Sequence, residues 1–217
     1  MRKQHYVVFV SAIFLMGVFI SGGYFYKSQQ SEKQSQAAKD NASLLVRDYS
    51  MTVGSNDAKV QIVEFFDPAC ETCKDFYSYV KGLMEENPGK IKLVMRYAPF
   101  HEGADYNVKI LEAARKQGKY WETLEAMYNG QAAWASHSNP QPDLVWQYIA
   151  GVGLNMDQLK KDMNDPQIAS LIQQDLKDAK ALNVTKTPEF FVNGNPMPSF
   201  GYKQLKGLVD SEIEANY

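Results

Sequence analysis

A buried-strand pattern followed by a helical pattern constrains the fold of this chain most strongly. Val60–Phe66 (VQIVEFF) is rich in β-branched and aromatic residues and has turn-forming residues on both sides, which is typical of a strand buried within a sheet. From Cys73 onward apolar residues recur at helical spacing until Asn87-Pro88-Gly89, and Ile91–Tyr97 (IKLVMRY) has the pattern of a second strand. Strand, helix and strand in this order predict a βαβ unit and an α/β fold class.

The second half of the chain predicts one sheet that is interrupted by helices. The pattern is helical almost throughout residues 103–182 and returns to strand character at Phe190–Asn193, and Tyr202–Asn216 is a closing helix. We therefore expect a single domain over residues 44–217, with a helical insertion at about residues 103–182. The formal net charge of −2, with 23 basic and 25 acidic residues and no basic cluster, argues against a nucleic-acid partner.

The N-terminus predicts export. Arg2 and Lys3 precede Tyr6–Tyr26, a stretch without a charged residue, so residues 1–26 are expected to form a signal-anchor or transmembrane segment or else a cleaved signal peptide. Residues 27–43 are rich in Gln, Ser and Lys and are expected to form a polar linker. Either alternative predicts a periplasmic or extracytoplasmic protein, anchored to the inner membrane where the segment is retained.

The pair Cys70-Glu71-Thr72-Cys73 is the strongest chemical signal. Two cysteines at this spacing can be a redox pair, half of a zinc site or a structural disulfide. The chain has no other cysteine to complete a zinc site, and a disulfide that closes so short a loop adds little stability. We therefore interpret the cysteines as a redox centre that needs neither a metal nor an organic cofactor.

The predicted helix assigns different roles to the two cysteines. Cys70 lies at the start of the helix, where unsatisfied amide groups favour a thiolate, so it is the expected nucleophile. Cys73 lies one turn later and is expected to resolve the mixed disulfide. Glu71 and Thr72 lie between them and are expected to tune the thiol pKa, although Glu71 can equally be a solvated first-turn residue.

Glu64 is an acidic residue inside an otherwise apolar strand. An unpaired buried carboxylate is costly, so we interpret Glu64 as a group that takes up or releases a proton during thiol exchange. The alternative is that this position of the strand faces solvent.

The residues from Leu44 to the C-terminus resemble the DsbA-like branch of the thioredoxin superfamily. The order of Gly54-Ser55-Asn56-Asp57-Ala58, Val60–Phe66 and Cys70–Cys73 carries the resemblance. It implies a thioredoxin-like fold with inserted helices and an acidic residue six positions before the nucleophile, where Glu64 stands. It also implies a cis-proline loop at Thr187-Pro188, in which the main chain of Thr187 would bind an extended substrate peptide.

The resemblance implies a thiol:disulfide oxidoreductase that acts on cysteines of exported proteins. Glu71-Thr72 lacks the histidine or proline of the strongly oxidising members, so the direction of electron flow stays open. An oxidase would need a quinone-linked membrane partner, and a reductase or isomerase would need a transmembrane electron donor. A non-enzymatic redox-sensing or partner-binding module and a metal-handling protein are the alternatives. His101 follows the second strand and is either a proton partner near the cysteines or a surface residue.

Overall fold

A five-stranded mixed sheet forms the centre of the protein. The computed structural model describes residues 15–26, 28–29, 32–33, 36, 40, 42–136 and 138–217. The strands lie in the order β1-β3-β2-β4-β5, with β2 and β3 parallel and the other neighbours antiparallel. Their ranges are β1 (Met51–Gly54), β2 (Val60–Phe66), β3 (Ile91–Tyr97), β4 (Glu189–Val192) and β5 (Asn195–Pro196).

Most of the helices lie in sequence between β3 and β4. The helices are α1 (Glu71–Glu86), α2 (Ala104–Lys116), α3 (Tyr120–Trp134), α4 (Val145–Ile149), α5 (Met156–Asp162), α6 (Pro166–Ala181) and α7 (Tyr202–Asn216). The unit β2-α1-β3 has the βαβ order, and α2 to α6 interrupt the sheet before it resumes at β4. The predicted α/β class with inserted helices is confirmed.

Strand alternation gives the sheet two buried faces. Ile62, Glu64 and Phe66 of β2 point to the face that α1 covers, which we call the α1 face; its core includes Cys73 and Phe76. The intervening β2 residues point to the opposite, α6 face, where they pack with residues at the end of α6. Because both faces are covered, every residue of β2 except Gln61 is buried.

Arg96 carries a buried charge on the α6 face. It pairs across the sheet with Phe65 and is fully buried. Its guanidinium donates to Asp175 at 2.7 Å and to Asp178 at 2.6 Å. Asp175 also accepts a hydrogen bond from the main-chain N–H of Tyr97 at 2.7 Å, so the network attaches α6 to β3.

The sequence pattern did not reveal strand β1. Met51–Gly54 has only four residues, and they are partly or fully exposed because β1 is an edge strand that pairs only with β3. Gly54 is the last residue of this strand. Its positive φ of 109° is an angle that favours glycine, and a Cβ there would lie 2.4 Å from the carbonyl oxygen of Ile91.

The predicted membrane segment falls partly outside the described residues. Residues 1–14 are not among them, whereas residues 15–26 are helical and exposed. Within the described ranges, no helix has the length and apolar character needed to cross a bilayer. In the predicted linker, residues 28–29, 32–33, 36 and 40 are helical, and Ala42–Leu44 forms a single 3-10 turn.

Replacing Arg96 by alanine should strongly destabilise the protein. The change would leave Asp175 and Asp178 buried without their shared partner, which costs about 3–5 kcal/mol in comparable buried pairs. Denaturant unfolding of the wild type and Arg96→Ala measures this loss. Lys81→Ala is the control, since the Lys81–Glu125 pair is solvent-exposed and should contribute at most about 1 kcal/mol. Equal effects of the two substitutions would contradict the assigned role of Arg96.

Candidate active site

Cys70 is the N-cap residue of α1. Its backbone is extended, with φ −78° and ψ 116°, and its Sγ accepts a hydrogen bond from the main-chain N–H of Cys73 at 3.4 Å. The sulfur therefore satisfies one of the amide groups that a helix leaves unpaired at its start. Both cysteines are free thiols and both are buried, with Cys70 6% and Cys73 0% exposed.

The environment of Cys70 favours its thiolate. A hydrogen bond with the Cys73 side chain is the largest influence and helps to lower the pKa of Cys70 to about 6. The main-chain N–H of Cys73 and a hydrogen bond with Thr187 lower the pKa further, whereas burial and the negative charge of Asp67 oppose them. Cys70 is therefore mostly ionised at neutral pH, as an attacking sulfur must be.

Cys73 has the opposite environment. Burial raises its pKa well above the ordinary value, and the hydrogen bond with Cys70 and the charge of Glu64 act in the same direction. Two thiols three residues apart thus differ in protonation because one lies at the helix start and the other lies against the sheet. This asymmetry allows one sulfur to attack while the other keeps its proton.

Glu64 lies on the α1 face and is 0% exposed, so the alternative of a solvent-facing position is wrong. Neither of its carboxyl oxygens has a hydrogen-bond partner among the described residues, and the same is true of the buried Tyr128 hydroxyl. Burial raises the pKa of Glu64, and the negative charge of Cys70 adds to this effect. Electrostatic interactions also link Glu64 with Cys73 and with Tyr128.

The Thr187-Pro188 loop lies beside Cys70. The Thr187–Pro188 peptide bond is cis, and the Cys70 Sγ lies 3.5 Å from the carbonyl oxygen of Thr187. Cys70 and Thr187 line one pocket of about 330 Å³ together with Glu71, Thr72, Phe100, His101, Thr185 and Lys186. Glu71 is exposed, and the buried carboxylate of Asp67 is an acidic group whose charge raises the pKa of Cys70.

Sequence reasoning missed two residues that hold the cysteine loop. Gln131 of α3 donates to the carbonyl oxygens of Pro68 and Cys70 at 2.8 and 3.0 Å, and nothing in the helical pattern marks it. Asp67 is fully buried and accepts a hydrogen bond from the N–H of Ala69 at 2.7 Å. The available signal for Asp67 was an acidic residue at the carboxyl end of a buried strand, directly before the cysteine loop.

A thioredoxin-like sheet with such a cysteine pair at the start of α1 defines the class of thiol–disulfide oxidoreductases. Comparison with known proteins agrees with this class: residues 47–211 match the family model described as Thioredoxin. A solved thioredoxin-like oxidoreductase from Silicibacter pomeroyi DSS-3 is 31% identical, with a TM-score of 0.70 over 80% of this chain and 98% of the other. The solved alpha-DsbA1 of Wolbachia pipientis is 22% identical, with a TM-score of 0.68 over 81% and 96% of the two chains, and is similar in fold.

The chain is also similar over its full length to a protein that is named for disulfide bond formation. The probable disulfide bond formation protein D of Bacillus anthracis is 24% identical over 226 residues, which cover 99% of this chain and 100% of that protein. The chain spans only 21–24% of the length of the Na(+)/H(+) antiporters that it also matches, at 25–28% identity. The chain belongs to the thioredoxin family, as a DsbA-like protein disulfide oxidoreductase with its cysteine pair at Cys70 and Cys73.

Alkylation of the reduced protein should follow the ionisation of Cys70. Because the pKa of Cys70 is lowered to about 6, the iodoacetamide rate should rise with a midpoint near pH 6 and level off above about pH 7. Replacing Cys73 by alanine removes the largest cause of the lowered pKa and should move the midpoint upward, whereas Cys73→Ser keeps a donor and should move it less. Mass spectrometry should find the label on Cys70 in each case, and a midpoint near the ordinary thiol value in the wild type would contradict the assignment.

Replacing Glu64 by glutamine should stabilise the reduced protein at high pH. A carboxyl whose folded pKa is raised keeps a proton that the unfolded chain releases, so stability falls as pH rises from the ordinary carboxyl pKa through the raised value. Glu64→Gln removes this loss. Denaturant unfolding should show a small difference from wild type at about pH 4 and a gain of about 1–3 kcal/mol at about pH 8. A difference that does not change with pH would show that Glu64 does not titrate in this way.

Proposed function

We propose that this protein exchanges disulfides with cysteine pairs of exported proteins and that its favoured direction is the oxidation of those cysteines. The observation that carries the proposal is the unequal ionisation of the two thiols, with the pKa of Cys70 at about 6 and that of Cys73 raised. Cys70 is the sulfur that forms the mixed disulfide with substrate. Cys73 is the sulfur that is released from the Cys70–Cys73 disulfide and that re-forms it.

The oxidative cycle uses both thiols and a proton site. A substrate thiolate attacks Cys70 in the Cys70–Cys73 disulfide, and the electron pair of the broken bond goes to Cys73. Because Cys73 is buried, it needs a proton, and Glu64 supplies it from the interior of the sheet. A second substrate thiolate then attacks the substrate sulfur that is bonded to Cys70. The substrate disulfide forms, and Cys70 leaves as a stable thiolate.

The ionisation of Cys70 supports this direction. The thiolate exists only in the reduced protein, so lowering its pKa from 9.0 to about 6 favours the reduced form over the disulfide. This ionisation stabilises the reduced form by about 1.4 kcal/mol at pH 7, which raises the reduction potential of the two-electron couple by about 30 mV. A pKa of about 6 lies between about 7 for thioredoxin and about 3.5 for DsbA, so we propose a moderate oxidant.

The loop at Thr187 and Pro188 is the proposed substrate contact. Thr187 is half-buried, and its carbonyl oxygen lies beside the Cys70 sulfur, where a bound peptide would place its own cysteine. Main-chain hydrogen bonds to Thr187 would bind substrates of many sequences, as a general oxidoreductase requires. Glu71 and Thr72 line the same pocket as Cys70, so we propose that they tune this thiol.

We propose that the reaction takes place outside the cytoplasm. The uncharged stretch Tyr6–Tyr26 behind Arg2 and Lys3 supports export, with residues 1–26 as an anchor in the inner membrane and residues 27–43 as the linker to the domain at residues 44–217. An oxidant in this location needs reoxidation, for which we propose a quinone-linked membrane partner. A transmembrane electron donor would take its place if the protein were kept reduced.

The substitution Cys73→Ala should trap substrates. Without the second sulfur, mixed disulfides formed at Cys70 are resolved only by external thiols, so several exported proteins should remain covalently attached. Non-reducing electrophoresis and mass spectrometry detect the adducts, and Cys70→Ala is the control that should show none. The absence of adducts would favour a redox-sensing or partner-binding module over an enzyme.

The redox state in intact cells should be mainly the Cys70–Cys73 disulfide. An oxidant that is reoxidised by a membrane partner accumulates in its oxidised form at steady state. Rapid acid quenching followed by alkylation of the remaining thiols separates the two forms by mass. A pool that is mainly dithiol would reverse the proposed direction and identify a reductase or isomerase.

A further inference from the structure

The carboxylate of Asp67 joins two loops at the carboxyl ends of β2 and β3. Its Oδ1 accepts from the N–H of Ala69, in the loop that leads to Cys70. Its Oδ2 accepts from the N–H groups of Phe100 and His101, at 2.7 and 2.8 Å, in the loop that follows β3. Asp67 is 0% exposed, so these bonds lie in a protected environment.

Asp67 also orients the imidazole of His101. The ring Nδ1 lies 2.8 Å from Asp67 Oδ2. Since Oδ2 already accepts from two main-chain N–H groups, it acts as the acceptor and Nδ1 carries the proton. Proton exchange with any other group is therefore assigned to the second ring nitrogen, Nε2.

The imidazole is not needed for the loop attachment itself. The main-chain N–H groups of Ala69, Phe100 and His101 make three bonds to Asp67 whatever the side chain at position 101 is. The side chain of His101 is 32% exposed and lines the pocket that holds Cys70 and Thr187. A partly exposed, fixed imidazole at the substrate pocket has the arrangement of an acid–base group.

Thiol exchange at Cys70 needs such a group on the substrate side. A substrate thiol has an ordinary pKa of about 8.5 and must lose its proton before it attacks, whereas a substrate sulfur that leaves a disulfide must gain one. Cys70 itself leaves as a thiolate, and Glu64 is buried on the α1 face behind the cysteines. Neither Cys70 nor Glu64 is therefore placed to exchange a proton with the substrate sulfur.

We infer that His101, oriented by Asp67, is a further catalytic residue that exchanges the proton of the substrate sulfur at Cys70. The inference rests on the proposed function and deepens it, because it assigns separate proton sites to the substrate and to Cys73. Asp67 is the positioning residue of this pair.

The protons and electrons balance in both directions. In oxidation, neutral His101 takes the proton of the substrate thiol, and the substrate sulfur bonds to Cys70. The electron pair of the broken Cys70–Cys73 disulfide goes to Cys73. In reduction, the Cys70 thiolate bonds to one sulfur of a substrate disulfide. The leaving sulfur receives the electron pair of the broken bond and the proton of protonated His101.

The test varies the basicity of the leaving sulfur. Reduced wild-type protein and His101→Asn are reacted with 5,5′-dithiobis(2-nitrobenzoate), glutathione disulfide and bis(2-hydroxyethyl) disulfide, whose leaving thiols are increasingly basic. The asparagine amide can keep the bond to Asp67 but cannot exchange protons. We expect about a 100-fold loss of rate for the most basic leaving thiol and less than about a 3-fold loss for the most acidic.

Alkylation by iodoacetamide is the matched control. Its leaving iodide needs no proton, so the alkylation rate of Cys70 in His101→Asn should stay within about twofold of wild type. Equal losses across the three disulfides, or an altered alkylation rate, would overturn the inference and assign His101 to the structure of the loop or to tuning of Cys70. His101→Gln gives the same measurement if the asparagine variant does not fold.

The small disulfides separate this inference from the proposed function. They need no protein substrate, so a failure of Cys73→Ala to trap exported proteins would leave the rate series valid. Conversely, an unchanged rate series would remove the role of His101 without affecting the capture of substrates at Cys70.

Discussion

The sheet is buried on both faces and carries charged strand residues toward both, and two of these, Arg96 and Glu64, differ in whether their charge is compensated. Arg96 on the α6 face pairs with Asp175 and Asp178, so its charge is compensated and attaches α6 to the sheet. Glu64 on the α1 face has no hydrogen-bond partner within the described part of the chain. The paired charge stabilises the fold, whereas the unpaired carboxyl is costly and is stabilised only by holding a proton.

The two thiols also differ in their surroundings. Cys70 is the cap of α1 and receives hydrogen bonds that favour negative charge, whereas Cys73 faces the same apolar layer as Glu64 and is stable when protonated. One helical turn is therefore enough to give the two cysteines of a symmetrical sequence motif opposite pKa shifts. The helix start lowers the pKa of Cys70, and burial against the sheet raises the pKa values of Cys73 and Glu64.

Local sequence patterns predicted the parts of the site that lie within one element or its ends. The helix start at Cys70 and the buried strand that holds Glu64 could be predicted because strand patterns and helix capping act over a few residues. The pairing of Arg96 with Asp175 joins residues 79 positions apart, and the contact of Gln131 with the cysteine loop spans 61 positions. No local pattern encodes such contacts, because they depend on how α3 and α6 pack on the sheet.

The position of Asp67 links substrate proton transfer with redox strength. Its negative charge raises the pKa of Cys70, in opposition to the hydrogen bonds that lower it. The same carboxylate attaches the loop after β3 and orients His101. A neutral residue at position 67 would make the Cys70 thiolate more stable and the disulfide more oxidising, but it would weaken the orientation of the imidazole. Burial opposes the lowering of the Cys70 pKa more strongly than Asp67 does, so this carboxylate accounts for part of the moderate acidity of Cys70.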